Sequence, residues 1–125
     1  MTTNEILEGN KLIAEFMGAK NVKDMYGLLG WLYEKTPNIH STHSLHYSDE
    51  NLEYHSSWDW LMPVVEKINT IDNYEYDVII WRSDCHINNK VEIIFEGSRF
   101  KKETTLISVV WNCVVLFIQW YNSQQ

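Results

Sequence analysis

The spacing of apolar and polar residues predicts a helix near the start of the chain. Between residues 4 and 17, apolar side chains recur at intervals of three, four and seven, with charged residues between them. This periodicity is typical of one face of an amphipathic helix. Thr2 and Glu5 fit a capping box at its beginning, and Gly18 can end it in a left-handed conformation. The predicted apolar stripe comprises Ile6, Ile13, Phe16 and Met17.

A second helix is predicted to begin near Ser56. Its hydroxyl can accept a hydrogen bond from an amide of the first turn, while the Asp59 carboxylate can accept one from the backbone amide of the cap residue. Pro63 lies too deep for the first turn of this helix. We therefore expect Pro63 to kink the helix or to mark where its regular part begins.

The last predicted helix, residues 105–121, is strongly apolar. Only Ser108, Asn112 and Gln119 interrupt it, and they share one narrow face. The apolar run is shorter than the roughly 20 residues that a bilayer requires, and no basic flank follows it. We favour a helix that lies along a sheet and is partly covered, for example by a second subunit, over the alternative of a membrane span.

Two segments, 76–82 and 90–96, are rich in β-branched and aromatic residues, which predicts two strands. Asn88 and Asn89 between them fit a tight turn with positive φ. A two-residue turn there would place polar and apolar residues on the same face of the hairpin. A bulge or a longer loop through residues 83–86 removes this conflict, and we favour the longer loop.

The middle of the chain gives a weaker pattern. Residues 25–36 contain Gly27 and Gly30 among large apolar side chains, which fits either a strand or a short helix. Residues 37–51 are polar and predict a loop. The elements together predict the α+β class: a small sandwich of helices packed on an antiparallel sheet. We expect residues 1–125 to form a single domain with a variable, loop-rich middle at about 25–51.

Composition narrows the possible functions. A chain of 125 residues with 45% hydrophobic residues can bury a core, and its net charge of −7 argues against general nucleic-acid binding. Cys85 and Cys113 do not form a paired motif, so we expect two buried, reduced thiols. The first residues lack a basic and then apolar leader, so we expect the protein to stay in the cytoplasm.

Three blocks of sequence carry a family resemblance. They are residues 10–18 (NKLIAEFMG), 54–68 (YHSSWDWLMPVVEKI) and 117–122 (FIQWYN). In this order they resemble the phage ABA sandwich domain family of small phage and prophage proteins. The resemblance covers roughly a third of the chain and rests on the three blocks together. It implies a small α/β sandwich made in an infected bacterium, and it implies no known reaction and no catalytic residues.

The chain departs from that family pattern in two places. Residues 25–51 match nothing in it. The last helix carries Val109 and Leu116 where the pattern implies a more polar outer face. We expect these residues, with Trp111 and Trp120, to form a homodimer contact through helix 105–121.

Few residues form a pattern with catalytic or metal-binding chemistry. His40, His43 and His46 are three apart, which does not match a known ligand spacing, so we favour a solvated loop over a metal site. The run 84–86 (Asp-Cys-His) has neighbouring side chains that point to opposite faces of a strand, so it does not form a catalytic dyad. We therefore predict no catalytic residues, no metal and no cofactor.

Two groups of residues are candidates for ligand binding. Trp58 and Trp60 are two apart on a predicted helix, so both cannot face the core; the ring at the edge could stack on a base, although core packing is the favoured alternative. Arg99, Lys101 and Lys102 form a basic cluster before the last helix, which suits a phosphate or carboxylate, although a solvated turn is the favoured alternative.

These features favour a non-enzymatic phage accessory protein. Aromatic rings for a base and a basic cluster for phosphates would let it sequester a nucleotide-like host defence signal. The alternative is an adaptor or inhibitor that binds a host or phage protein through the apolar C-terminal helix. We expect a homodimer in the cytoplasm of the infected bacterium, with a small anionic ligand and no membrane partner.

Overall fold

The structure, a computed structural model, describes most of the chain. The described residues are 2–33, 46–82, 84–90, 93–96 and 105–125.

Within these residues the chain forms three α-helices, one short 3-10 helix and two three-stranded antiparallel sheets. The predicted α+β class and single small domain are confirmed, although the strands form two sheets rather than one. The elements are α1 (Thr3–Phe16), β1 (Lys20–Lys23), β2 (Leu29–Leu32), β3 (His46–Tyr47), the 3-10 helix Asp49–Asn51, α2 (Trp58–Tyr74), β4 (Asp77–Trp81), β5 (Asp84–Asn88), β6 (Ile93–Glu96) and α3 (Leu106–Ser123).

Helix α1 forms as its sequence predicts. The Thr2 hydroxyl accepts a hydrogen bond from the Glu5 amide at 3.1 Å, and Gly18 adopts a φ of +87° just beyond the helix. Of the predicted apolar stripe, Ile13 is fully buried and the other members are partly exposed. The stripe therefore marks the side of α1 that faces the core, and smaller residues next to the stripe complete this inner face of the helix.

Helix α2 differs from its prediction at both ends. It begins at Trp58, and its N-cap is Ser57, whose side chain makes no capping bond. The predicted cap at Ser56 is therefore wrong. The predicted kink at Pro63 is also wrong, because the residues with non-helical dihedral angles are 71–73, near the other end. Pro63 removes only the amide bond to Asp59, within the first turns of the helix.

The second sheet corrects the predicted hairpin. Residues 84–88 are strand β5, which pairs with β4 from Asp77↔Asn88 to Trp81↔Asp84. The positive φ occurs at Arg82, +55°, just after β4. The predicted loop through 83–86 is wrong because Asp-Cys-His-Ile-Asn alternates polar and apolar residues, and it is this alternation that marks a half-buried strand.

The first sheet follows the order β1–β2–β3. Of the two structures predicted for residues 25–36, the strand is the one observed, as β2. In the predicted loop 37–51, the described residues 46–51 form β3 and the 3-10 helix. His40 and His43 lie outside the described residues, and the ring of His46 reaches the backbone oxygen of Val22 at 2.9 Å.

Helix α3 forms the centre of the core. It packs against β5 and β6 of the second sheet and against α1 and α2. Cys85 and Cys113 are both buried and free, as predicted, and the Cys113 thiol donates a hydrogen bond to the Cys85 backbone oxygen at 3.6 Å. This neighbour and burial raise the pKa of Cys113. The fully buried residues of α3 are Val109, Val110, Cys113, Val114, Phe117 and Ile118.

The burial of α3 removes part of the argument for a dimer. Val109 and Trp111, which the sequence assigned to an interface between copies, are 0% and 3% exposed in the single chain. Leu116 is 37% exposed and Trp120 is partly buried. The homodimer through this helix stays a prediction, and Leu116 and Trp120 are the residues left to carry it.

Helix α3 is also the one described helix that is long and apolar enough to cross a membrane, judged by length and composition. In this stretch, 44% of the residues are buried inside the molecule. The core helix of a globular protein has the same length and composition. Packing against the sheet therefore accounts for the apolar residues on its inner face.

Phe117→Ala should lower the free energy of unfolding by about 3–5 kcal/mol. The ring of Phe117 is fully buried and lies 4.9 Å from the ring of Tyr76 and 5.7 Å from that of Tyr121, measured between centroids. Chemical denaturation measures the loss. Leu116→Ala on the same helix is the matched control and should cost roughly 1 kcal/mol or less, because its side chain is partly in water. Equal losses for the two variants would contradict the described orientation of α3.

Candidate functional site

The two tryptophans at the start of α2 take different positions, as their spacing requires. Trp60 is 2% exposed, and tyrosine rings meet it edge to face, with centroids at 5.1 Å for Tyr54 and 5.0 Å for Tyr47. A ligand-stacking role for Trp60 conflicts with this burial. Trp58 is 38% exposed, so it alone of the pair has ring surface to offer.

The basic cluster predicted as an anion site lies outside the described residues. Arg99, Lys101 and Lys102 therefore stay a prediction. The run 84–86 does lie in a strand, where Cys85 is buried and His86 Nε2 lies 3.1 Å from Asp84 Oδ2. Among the described residues, no group of three histidine, cysteine or acidic side chains is arranged to hold a metal ion.

A buried amide, which sequence reasoning missed, joins α1 to two other parts of the chain. Asn10 is 1% exposed, and its Oδ1 accepts a hydrogen bond from Trp111 Nε1 at 2.8 Å. An indole N–H can only donate, so this bond fixes which end of the amide is oxygen. Asn10 Nδ2 then donates to the Leu52 backbone oxygen at 3.1 Å and lies 2.8 Å from His55 Nδ1.

This arrangement fixes the protonation of His55. Because Asn10 Nδ2 is a donor, His55 Nδ1 must accept, and the neutral ring then carries its proton on Nε2. Burial lowers the pKa of His55, partly opposed by the negative charge of Glu53. The ring is therefore held neutral, with one nitrogen engaged.

His55 lines a small depression of about 260 Å³ between α1 and the 3-10 helix. Asp49 and Glu50 supply its carboxylates, and no lysine or arginine is among the residues that line it. Asp49 Oδ1 accepts a hydrogen bond from Trp31 Nε1 at 2.8 Å. The carboxylates of this depression disfavour a phosphate ligand.

A second depression, which we name the α1/α3 groove, is larger and also acidic. Its volume is about 410 Å³. Gly9 permits the close helix packing beneath it, because a Cβ at this position would lie 2.3 Å from the ring of Trp111. The residues that line it are Glu5, Glu8, Gly9, Leu12, Trp111, Asn112, Val115, Leu116 and Gln119.

The most exposed apolar surface among the described residues lies on the β1–β2 hairpin, and the sequence analysis did not identify it. We name it the hairpin tip: Met25, Tyr26, Leu28 and Leu29, which are 88%, 80%, 64% and 59% exposed. A contiguous patch of large apolar side chains is uncommon on a monomer unless it binds something.

The backbone of the hairpin tip is held by its own hydrogen bonds. Asp24 Oδ1 accepts from the amides of Tyr26 and Leu28 at 2.8 and 2.9 Å. Gly27 adopts a φ of +78°, and its amide donates to the Asp24 backbone oxygen at 3.0 Å. The loop therefore presents its apolar side chains from a backbone in which the amides of Tyr26, Gly27 and Leu28 are hydrogen bonded within the loop.

One basic residue lies next to the hairpin tip. Lys23 is exposed at the end of β1 that enters the turn, although the chain as a whole carries a net charge of −7. Lys20 is also exposed, but it lies at the far end of β1 and points to the other face of the strand. This part of the surface is therefore apolar and carries an exposed lysine, in contrast to the two acidic depressions.

Titration of His55 tests the buried network. Its pKa should lie below the ordinary 6.5, because burial disfavours the charged ring and Asn10 occupies Nδ1 with a donor. As pH falls below 6.5, the unfolded chain takes up the proton first, so the free energy of unfolding decreases until the folded pKa is passed. Above 6.5 this contribution is fully present.

Nuclear magnetic resonance of the imidazole nitrogens measures both the pKa and the tautomer. Asn10→Ala removes the donor to Nδ1 and leaves the Trp111 N–H without its acceptor, so it should cost about 1–3 kcal/mol of stability. A wild-type ring protonated on Nδ1 at neutral pH would contradict the network.

Comparison with known proteins found no relative of this chain. No protein-family model matches the chain, no curated protein matches it, and no solved structure matches it. The resemblance to the phage ABA sandwich domain family therefore stays a prediction from the three sequence blocks.

Proposed function

We propose that this chain is a non-enzymatic protein-binding protein, an adaptor or inhibitor whose contact surface is the hairpin tip. The observation that supports this function is the exposure of Met25, Tyr26, Leu28 and Leu29 on a loop with internally paired amides. Methionine and aromatic residues are enriched at protein interfaces, and a preorganised loop loses little entropy on binding.

The proposed contact surface differs from the one that the sequence predicted. The apolar C-terminal helix was expected to bind the partner, but its most apolar face packs on the second sheet. The apolar side chains at the tip are more exposed than those of α3, where Leu116 is 37% exposed. The family resemblance implies that the partner is a host or phage protein of an infected bacterium.

The surroundings of the tip indicate the chemistry of the partner. An apolar cleft would receive the tip side chains, and carboxylates at its rim would meet Lys23. Rim charges of this kind speed association and weaken with salt. The proposed partner is therefore a protein with an apolar cleft and an acidic rim.

A photoreactive phenylalanine analogue at Tyr26 should give one discrete adduct to a protein other than the chain itself in the native host. The adduct should disappear when Met25 and Leu28 are both changed to Ser, because the apolar contact is lost. These exposed substitutions should leave thermal stability nearly unchanged. Gel mobility and mass spectrometry of the adduct give the measurement.

The matched control places the same analogue at Tyr74, which is 68% exposed on the surface of α2. No discrete adduct is expected there. Equal crosslinking at both positions, or adducts to lipid alone, would contradict a protein partner at the tip.

Sequestration of a nucleotide-like signal is the second candidate. The exposed ring of Trp58 supports it, as does the predicted basic cluster. Changing Arg99, Lys101 and Lys102 together to Ser should abolish binding of a nucleotide panel in equilibrium dialysis, and raised salt should weaken binding by the parent. Unchanged dialysis binding by the triple variant would contradict this function.

A further inference from the structure

Two surfaces of this chain are complementary in charge and in apolar character. The hairpin tip combines large apolar side chains with the exposed Lys23 beside it. The α1/α3 groove combines an apolar floor with Glu5 and Glu8 on one wall, and no basic residue lines it. Each surface therefore has the chemistry that the other would bind.

The groove has room for a side chain from the tip. Its volume of about 410 Å³ falls in the range of roughly 300–1,000 Å³ typical of pockets that enclose a small organic molecule. Leu12 and Leu116 give it an apolar floor, and Leu116 is 37% exposed. The phenol ring of Tyr26 is small enough to enter such a space.

The acidic wall of the groove is available to a new partner. Glu8 Oε1 lies 3.2 Å from Lys11 Nζ on the same helix, and both side chains are exposed. An exposed ion pair of this kind contributes little to stability. Glu8 can therefore exchange Lys11 for a lysine of another molecule at small cost.

The two surfaces are not in contact within one molecule, because the side chains at the tip are largely exposed. We infer that, in the absence of another partner, the hairpin tip of one copy docks into the α1/α3 groove of a second copy. The inference uses the tip as a binding element, as the proposed function does, and it names a second occupant for it.

Such a contact is head to tail. Each docked pair leaves one tip and one groove free, so further copies add until the assembly closes into a ring or continues as an open chain. Pairing of β1 with β1 of another copy is disfavoured, because Lys20 and Lys23 would meet the same residues of that copy along an edge strand.

Mixed variants test the head-to-tail geometry. The tip variant carries Met25→Ser and Leu28→Ser, and the groove variant carries Leu116→Arg at a partly exposed site. Sedimentation velocity from low to high micromolar concentration should show wild-type assemblies larger than a dimer. Each variant alone should be monomeric, with self-association weakened about tenfold or more, which is about the loss of one good apolar contact.

An equal mixture of the two variants should form a 1:1 dimer and nothing larger, because one intact tip and one intact groove remain between them. Trp81→Ser is the control: it removes a ring that is 67% exposed on the second sheet and should leave the assembly unchanged. Circular dichroism confirms that each variant is folded.

Charge exchange gives a second test that does not depend on Leu116. Copies with Lys23→Glu, and copies with Glu5→Lys and Glu8→Lys, should each fail to assemble alone and should assemble when mixed. A wild-type protein that stays monomeric at high micromolar concentration would overturn the inference. So would tip or groove variants that dimerise on their own, since that result indicates a two-fold contact through another face.

The outcome is separable from that of the proposed function. Self-association is measured on purified protein, whereas the partner is detected as a foreign adduct at Tyr26 in the host. A monomer that still gives the foreign adduct would defeat only this inference. An assembling protein that gives only adducts to itself would defeat only the proposed function.

Discussion

The side-chain amide of Asn10 joins three parts of the chain that are far apart in sequence. It lies on α1, and it hydrogen bonds to the segment before α2 and to Trp111 of α3. Leaving one of these buried groups unpaired costs about 1–3 kcal/mol, a large part of the stability of a small domain. Because the indole can only donate and the Leu52 carbonyl can only accept, the network fixes the orientation of the amide between the two helices. Asn10, Leu52 and His55 also line the depression beside the 3-10 helix.

The ends of the chain could be predicted because their signals are local. The caps of α1 at Thr2 and Gly18, and the long apolar run of α3, each lie within a few residues of the feature that they determine. Strand β5 was missed because its side chains are mostly polar or small, and only their alternation marks a strand. Its turn at Arg82 was missed because arginine is not a residue that favours positive φ.

The candidate site was predictable only in part. The spacing of Trp58 and Trp60 correctly indicated that one ring faces the core and the other lies at the surface. The pairing of Asn10 with Trp111 spans 101 positions, and nothing in the local sequence of either residue marks it. The hairpin tip was missed for another reason: apolar residues in a short segment look the same whether they face a core or water. Their exposure depends on how the sheet is covered, which is a property of the whole fold.

The close packing of Gly9 against Trp111 has a consequence for how this sequence can vary over time. Every side chain other than hydrogen at position 9 would place a carbon 2.3 Å from the indole ring, far inside contact distance. Position 9 can therefore change only together with position 111, and a smaller residue at 111 would also remove the N–H that orients Asn10. Homologous sequences that keep this fold should show the three positions changing as one unit. Such joint substitution would identify homologues of this protein even where the rest of their sequences is too divergent to align.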